Sequence, residues 1–408
     1  MKLILDLLRV FGVVLGLVWL KRGRHSSKPA VRWSDLGLGA ILVSLGSLLN
    51  YWMLRPNRAH PPRGITIRTN PIVKDGWHNS NTDLIFWHGA YYLIHAASPF
   101  HFGNSRCHLK LWRSTDAQNW ELIARFSAAP EDIRDPKFSS IGERLYLYVL
   151  LNRTFNPEPY TTAFTYSEDG ENWMPIKPIQ PGGWLFWRPK SQDGKTWYVP
   201  AYWWEHGESI LLRSNDGENW QKVSTIYQGD RNDETDIEFL PDGRMIAVAR
   251  LEFSEDFICG DPKGCTLIAT SKPPYTNWKI GAKSPVTRLD GPCLFACNGK
   301  TYALGRFQPV RNRPFSYPGS IFSRKRTSLF LVEESRLVYL GDLPSAGDTS
   351  YGAVIQHNDE LLIEYYTSSI HKDYPWIIGM LCPSEICMVR LSLQGFERWT
   401  ELVAKQLK

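Results

Sequence analysis

Asp83, Arg134, Asp135, Arg188, Glu234, Asp348 and Tyr351 each stand at or next to the opening of a short apolar strand pattern. Arg250 and Arg306 each close one, in IAVAR and YALGR. Residues at the same point of a repeated unit converge when the units pack radially, so these side chains are expected around one mouth. Carboxylates there can exchange protons with a bound molecule. Arginine presents a planar fork that grips a carboxylate through parallel hydrogen bonds. Burying several guanidinium groups with carboxylates and a tyrosine is costly unless the charges are paired or used. Any one of these residues reads equally well as an ion pair or a turn between units. The set together points to a site for an acidic or polyhydroxylated ligand.

The elements that must position these residues are marked by a repeat. Ser167-Glu-Asp169-Gly170-Glu-Asn-Trp173 recurs as Ser214-Asn-Asp216-Gly217-Glu-Asn-Trp220 and, less perfectly, as Ser114-Thr-Asp116-Ala-Gln-Asn-Trp120. A stretched copy runs from Ser271 to Trp278. A fixed period of about 50 residues is the mark of stacked or radial units. In each copy the Ser and Asp side chains suit a tight turn, and Gly supplies a conformation that a Cβ resists. Runs such as Leu84–Trp87, Tyr91–Ile94, Leu145–Tyr148 and Leu361–Glu364 lie between Gly, Asp and Asn turns. This is the grammar of strands. The units open near Asp83, Asp135, Arg188, Glu234, Asp290 and Tyr351, which predicts an all-β, six-bladed β-propeller. Five blades or a two-sheet sandwich are the competing folds. The expected boundaries are a membrane region 1–54, a linker 55–70 containing Pro56, Pro61, Pro62 and Gly64, a propeller 71–395, and a tail 396–408 that suits a short helix.

Within 1–54, two apolar segments, about 3–20 and 35–54, flank a basic loop. Each approaches the ~20 residues that a spanning helix needs. The pair predicts a membrane-helix pair, and a cleaved signal peptide fits less well because no small-residue cleavage site precedes the basic loop. The positive-inside rule then places the loop in the cytoplasm and the large domain in the periplasm or outside the cell. Seven cysteines include the close pairs Cys259/Cys265 and Cys382/Cys387, which would suit two bridged loops in an oxidising compartment. Zinc is the rival reading, but there is no C-x-x-C pair and no His at finger spacing, so neither a metal nor another cofactor is expected. The net charge of +6 comes without interleaved basic and aromatic runs, which argues against a nucleic-acid partner. The aromatics, 17 Trp, 18 Tyr and 18 Phe, suit both a packed β-core and a sugar-facing surface.

The S-x-D-x-G-x-x-W turns resemble the Asp-box (BNR) repeats of the sialidase, or neuraminidase, superfamily. The segment Glu234-Thr-Asp-Ile-Glu-Phe-Leu-Pro-Asp242-Gly243-Arg-Met-Ile-Ala-Val-Ala-Arg250 is similar to the one in which that family opens a strand with Glu and closes the next with Arg. Asp348-Thr-Ser350-Tyr351 resembles the segment of the family's tyrosine nucleophile. The likeness covers residues 77–391 and is nearest to a bacterial sialidase-like branch, in TDLIFWHGAYYLIH, IRDPKF, GPCLFACNGKTYALGR and LPSAGDTSY. By this resemblance Tyr351 would attack the anomeric carbon and Glu234 would take its proton. Arg250, with Arg306 or Arg326, would belong to the arginine clamp, and Arg188 could assist. The stretch that supplies the family's first clamp arginine reads His78-Asn-Ser-Asn-Thr82-Asp83 here. The family's acid has no obvious counterpart in SPFHFGNSRCHLKLWRS, where His101 or Asp83 could substitute. Arabinanase- and fructosidase-like propellers offer a second likeness, with Asp83, Asp135 and Glu234 as three carboxylates from different blades. The resemblance implies a membrane-anchored glycoside hydrolase with a glycan ligand. The alternative is a non-catalytic propeller that holds a glycan or a partner protein at the membrane.

Overall fold

The computed structural model of the chain describes residues 2–59, 61, 67–153 and 159–406. Pro62 and Gly64 of the expected linker lie outside the described residues. Helices α1 (Lys2–His25) and α2 (Pro29–Leu54) pack against each other, and a short helix α3 (Trp376–Leu381) and a C-terminal helix α4 (Leu393–Gln406) follow much later. Between them the described residues form strands and loops, arranged as six sheets around an axis.

Blade 1 comprises His78–Trp87, Ala90–Ser98, His108–Ser114 and Glu121–Phe126, and blade 2 comprises Asp132–Ile141, Arg144–Asn152, Thr161–Ser167 and Lys177–Pro178. In blade 3 the innermost strand is broken into Trp184–Phe186 and Lys190–Ser191, which both pair with Trp197–Trp203; Glu208–Ser214 and Gln221–Gln228 follow. Blade 4 runs Asn232–Phe239, Met245–Leu251, Cys265–Ser271 and Trp278–Ser284; blade 5 runs Asp290–Cys297, Lys300–Phe307, Arg326–Glu333 and Arg336–Asp342. Blade 6 takes Thr349–His357, Glu360–Thr367 and Glu385–Ser392 from the end of the chain. Its outer strand, Thr69–Val73, comes from the start of the propeller. This closure joins the two ends of the ring through backbone hydrogen bonds and leaves no open seam.

The repeated turns clamp one blade to the next. In the copies at Asp116, Asp169 and Asp216 the Ser hydroxyl donates to the Asp carboxylate at 2.9 Å, and two following backbone N–H groups donate to it at 2.8–2.9 Å. These donors hold the three carboxyls below their usual pKa, most directly at Asp116 and Asp169. Each turn joins the third and fourth strands of its blade. The Tyr148 hydroxyl of blade 2 donates to the Gly217 carbonyl of blade 3 at 2.7 Å, and Trp220 packs edge-on against Tyr148. A further copy with the same spacing, Ser191-Gln-Asp193-Gly194-Lys-Thr-Trp197, makes the same bonds in the first hairpin of blade 3. It is legible in the sequence, but it falls out of phase with the others.

The expected disulfides are not present: all seven cysteines are free. Cys265 and Cys387 lie within strands and pack into separate hydrophobic cores. Cys382 sits after α3 against Met53 and Ile378. The residues between Cys382 and Cys387 therefore lead into a strand and do not close on themselves, and the cysteines give no support to an oxidising location.

Among the described residues α2 is the one helix long and apolar enough to cross a membrane. Its contact with α1 is lined by glycine: a Cβ on Gly16 would meet Val43 at 2.8 Å, and one on Gly39 would meet Leu20 at 2.7 Å. Small residues of this kind let helix backbones approach closely. Leu38, Ile41, Leu45 and Leu48 of α2 stay exposed.

Gly217 has φ +78, and a Cβ there would lie 2.8 Å from Ile141 and 3.1 Å from Tyr146 and Tyr148. Gly217→Ala therefore combines backbone strain with overpacking at a blade interface. It is expected to lower stability by about 2–3 kcal/mol in chemical denaturation of the detergent-solubilised chain.

Candidate functional site at the propeller mouth

Every inner strand is interrupted near its beginning. Register shifts fall between Ser80 and Thr82, Arg134 and Lys137, Asn232 and Thr235, Asp290 and Cys293, and Ser350 and Ala353; in blade 3 the strand itself breaks between Phe186 and Lys190. Asn81, Asp135, Ser350 and Tyr351 adopt positive φ there, as does Gly291. Non-glycine residues in this region carry strain that the surrounding structure must hold. A bulge re-aims side chains, so the same device in every blade gathers the opening residues around the axis.

Tyr351 and Glu234 meet at the centre. The Tyr351 hydroxyl donates to Glu234 Oε1 at 2.5 Å. Glu234 Oε2 accepts the Gly291 N–H at 2.7 Å and lies 3.0 Å from Arg250 Nη1, which also reaches Tyr351 Oη at 3.2 Å. Gly291 is required for this approach: a Cβ on it would sit 2.7 Å from the Tyr351 ring. Burial, reinforced by Asp233 and Asp290, pushes the Glu234 carboxyl well above the usual carboxylate range against the pull of Arg250. Burial and Glu234 raise the Tyr351 phenol in turn. A carboxylate of raised basicity beside a neutral phenol is a base–nucleophile pair.

Arginines and carboxylates alternate around this pair. Arg306 stacks on the Tyr351 ring, 4.8 Å from its centroid, and binds Asp348 at 2.9 Å. Asp348 also receives Trp376 Nε1 at 2.7 Å and Tyr366 Oη at 3.0 Å. His78 lies 3.0 Å and His101 2.7 Å from its other oxygen. These donors hold Asp348 ionised, far below its ordinary pKa, despite complete burial. Arg250 is held by Asp233 through its Nε at 2.7 Å, and Asp233 and Glu252 flank His206 at 3.3 and 3.1 Å. Asp290 sits among three arginines, at 2.6 Å from Arg288, 3.6 Å from Arg306 and 4.0 Å from Arg250. Arg288 and its neighbours depress the Asp290 carboxyl strongly.

The structure thus brings together Tyr351, Glu234, Arg250, Arg306, Asp348 and His101. The other expected residues form pairs of their own. Asp83 is buried, bonded to Arg188 at 2.7 Å and accepting the Phe138 N–H at 2.7 Å, and Arg188 meets the central cluster only through the Gly352 carbonyl at 3.4 Å. Asp135 binds Asn81, and Arg134 is held by Asp132 at 2.5 Å while its Nη1 reaches the His101 carbonyl at 3.5 Å. Arg326, the alternative to Arg306, pairs instead with Asp373 at 2.7 Å. Sequence reasoning missed the site roles of Asp233, Glu252, Arg288, Asp290, His78 and Trp376. Asp290 was visible as a blade-opening residue, and Asp233 as the neighbour of Glu234. Glu252 and Trp376 lie in or beside the loops between second and third strands of blades 4 and 6, and Arg288 lies in the connection from blade 4 to blade 5, where no periodicity marks them. Two groups, His78/His101/Asp348 and His206/Asp233/Glu252, set three possible metal-ligand atoms close together. In each, an arginine already bonds the carboxylate, so an added cation would face a guanidinium. A cavity of about 400 Å³ lined by Leu240, Arg244, Lys300 and Glu334 lies at the opposite end, by the hairpin turns of blades 4 and 5.

No protein-family model matches the sequence, and no curated protein matches it. Its fold does match solved structures. The phage phi92 endosialidase superimposes with a TM-score of 0.55 at 12% identity, over 80% of this chain and 69% of that one. Trypanosoma rangeli sialidase gives 0.55 at 16% identity, over 85% and 61%. This chain shares the six-bladed β-propeller fold with these structures. An α-L-arabinofuranosidase from Fusarium graminearum shares the fold as well, with a TM-score of 0.52 at 11% identity over 83% of this chain and 98% of that one. The chain spans less than two thirds of the length of the Trypanosoma enzyme. At these identities the likeness concerns the fold, and site chemistry must be argued from the residues themselves.

Glu364 lies beneath the mouth, fully buried and hydrogen-bonded to Thr82, and burial pushes its carboxyl up to about 8. The folded state therefore holds a proton that the unfolded chain releases near the ordinary value of 4.5. That contribution is complete below the unfolded value and is lost as pH rises through the folded one. Wild type should lose stability between pH 5 and 8. Glu364→Gln should flatten that decline, by an amount on the order of a few kcal/mol, in unfolding measured across pH.

Proposed function

We propose that the chain is a membrane-anchored, retaining glycoside hydrolase with Tyr351 as nucleophile. The observation that carries this is the 2.5 Å bond from the Tyr351 hydroxyl to Glu234, held beneath Arg250 and Arg306. In the first step Tyr351 Oη bonds to the anomeric carbon as its proton passes to Glu234. The glycosidic C–O bond breaks, and the leaving oxygen takes a proton from His101. In the second step water attacks the anomeric carbon and gives its proton to His101, while Glu234 returns a proton to the departing Tyr351 oxygen. Retention follows from two displacements. His101 suits the acid's part because its side chain is 23% exposed and backed by Asp348, whereas Asp83 is buried in its pair with Arg188.

The reacting sugar is a neutral, polyhydroxylated one. A carboxylated sugar needs free guanidinium groups, yet Arg250, Arg288 and Arg306 already surround Asp290, and Arg250 and Arg306 are further held by Asp233 and Asp348. A second carboxylate in that basin would meet one already there. Exposed Phe102 and Trp204, on the loops between second and third strands of blades 1 and 3, offer faces on which sugar rings stack. Helix α2, with its exposed apolar side, is the membrane anchor, and α1 packs beside it as the second arm of a hairpin.

The test is a panel of fluorogenic neutral glycosides and a sialoside, offered to the detergent-solubilised full chain. Turnover is expected on a neutral glycoside and not on the sialoside. Tyr351→Phe should lower kcat/KM by about 10³-fold or more, roughly 4 kcal/mol of barrier, with folding intact. Glu234→Gln should act in the same direction. No turnover of any glycoside would leave a binding propeller in place of an enzyme. Preferred turnover of the sialoside would overturn the neutral-sugar assignment.

A further inference from the structure

The hairpin joins the propeller at the end that carries the site. The last turn of α2 is seated on the loops between the second and third strands of blades 5 and 6. Met53 packs on Ile378 and Cys382, Trp52 lies 6.5 Å from Phe322, and Arg55 binds Asp373 at 2.6 Å. Pro56 forms a bridge with Lys372, and the Asn57 N–H donates to the His371 carbonyl at 2.9 Å. Those are the same loops that reach the mouth: Trp376, in α3, donates to Asp348. The neighbouring loop of blade 4 is laced into this base by backbone bonds from Tyr317 to Cys259 at 3.0 Å and from Ile321 to Phe257 at 2.9 Å. The blade 5 loop is in turn tied to α3 by Ile377 to Ile321 at 2.8 Å. The anchor and the rim of the site therefore form one bonded platform.

The platform is apolar where a water-facing rim would be polar. Phe257 is 56% exposed, Ile258 49%, Phe315 62% and Phe322 39%. They stand on the loops of blades 4 and 5, next to the emergence of α2, with exposed Arg313 and Arg58 nearby. Aromatic and aliphatic side chains mixed with arginine suit the boundary between lipid headgroups and acyl chains.

We infer that this rim rests on the bilayer that α2 enters, so that the mouth opens at the membrane surface and takes a glycan carried by a lipid of that membrane. This rests on the glycosidase and anchor readings above. Continuity with α2 selects the occupant: a bilayer holding that helix has its surface at the helix's last turn, where these loops lie. A lipid-borne substrate diffuses in the same plane as the site, which raises its effective concentration.

The experiment places p-benzoylphenylalanine in turn at Phe257, Phe315 and, as the opposite-end control, Asp242, in the full chain reconstituted into phosphatidylcholine and phosphatidylglycerol vesicles. Irradiation should attach lipid at 257 and 315 and not at 242. Carbonate washing reports the anchor separately: release of the protein overturns both the anchor and this inference. Retention without lipid attachment at 257 and 315 overturns this inference alone. For whichever neutral glycoside is hydrolysed, the same sugar on a dialkyl lipid in vesicles should exceed its water-soluble form in kcat/KM by about tenfold or more. Equal or lower turnover of the lipid form overturns the lipid-borne substrate and leaves the glycosidase reading standing.

Discussion

A guanidinium group buried at the mouth of a propeller must have a carboxylate within reach, and the rest of the site is built around that demand. Desolvation alone would make Arg250, Arg306 and Asp348 intolerable. Together they form an alternating set in which Asp233, Glu234, Asp290 and Asp348 lie between Arg250, Arg288 and Arg306. Removing any one member would strand a charge on its neighbours. Hence the set behaves as one unit, and its geometry is held more firmly than any single pair would hold it. In the proposed reading the same saturation limits what can enter, because the arginines have few directions left in which to bind an incoming anion.

The backbone supplies the positions. A regular strand sends successive side chains to opposite faces, and it would direct Asp290 and its neighbours into the packing between blades. The recurrent break near the start of each inner strand turns one residue toward the axis, and positive φ at Asn81, Asp135 and Tyr351 is the cost of that turn. What balances the cost lies in the blades behind. The serine–aspartate turns lock third strands to fourth strands and blade to blade at the opposite end. Strain at one end is thus carried by order at the other.

The six-bladed architecture was legible because it is written as a period: turns about 50 residues apart, and an opening polar residue for every blade. Tyr351, Glu234, Arg250, Arg306 and Asp348 were expected together from their place in that phase and from resemblance, and His101 as a substitute for the family's missing acid; the structure sets these side chains next to one another. What escaped was pairing. Asp83 and Arg188 sit at the same phase as the central residues, yet a bond of 2.7 Å pairs them with each other and not with Tyr351 or Glu234. Arg288 and Glu252 fall at the edges of loops, and Asp290 was counted as a marker of blade 5 without a chemical part. Cysteine spacing misled for a related reason. Closeness along the chain says nothing of whether the second sulfur lies in a strand whose neighbours fix it elsewhere, as Cys387 does.

In the proposed mechanism a tyrosine nucleophile in place of a carboxylate has a physical reason. Where a substrate brings its own carboxylate to the anomeric centre, an anionic nucleophile would be repelled, and a phenol avoids that repulsion. In this chain the carboxylate belongs to the protein: Asp290 is ionised beside Gly291, whose backbone lies against the Tyr351 ring. A nucleophile carrying its own charge next to Asp290 would raise the cost of burial for both. The neutral phenol does not, and it gains charge only as its proton moves to Glu234. A fixed carboxylate also favours the positive charge that develops on a sugar ring as the glycosidic bond breaks, and it needs no reorganisation at that moment. In that mechanism Asp290 would supply, from the protein, the electrostatic partner that an acidic sugar would bring with it. As proposed, Tyr351 and Asp290 are two parts of one solution to hydrolysing a sugar that carries no charge.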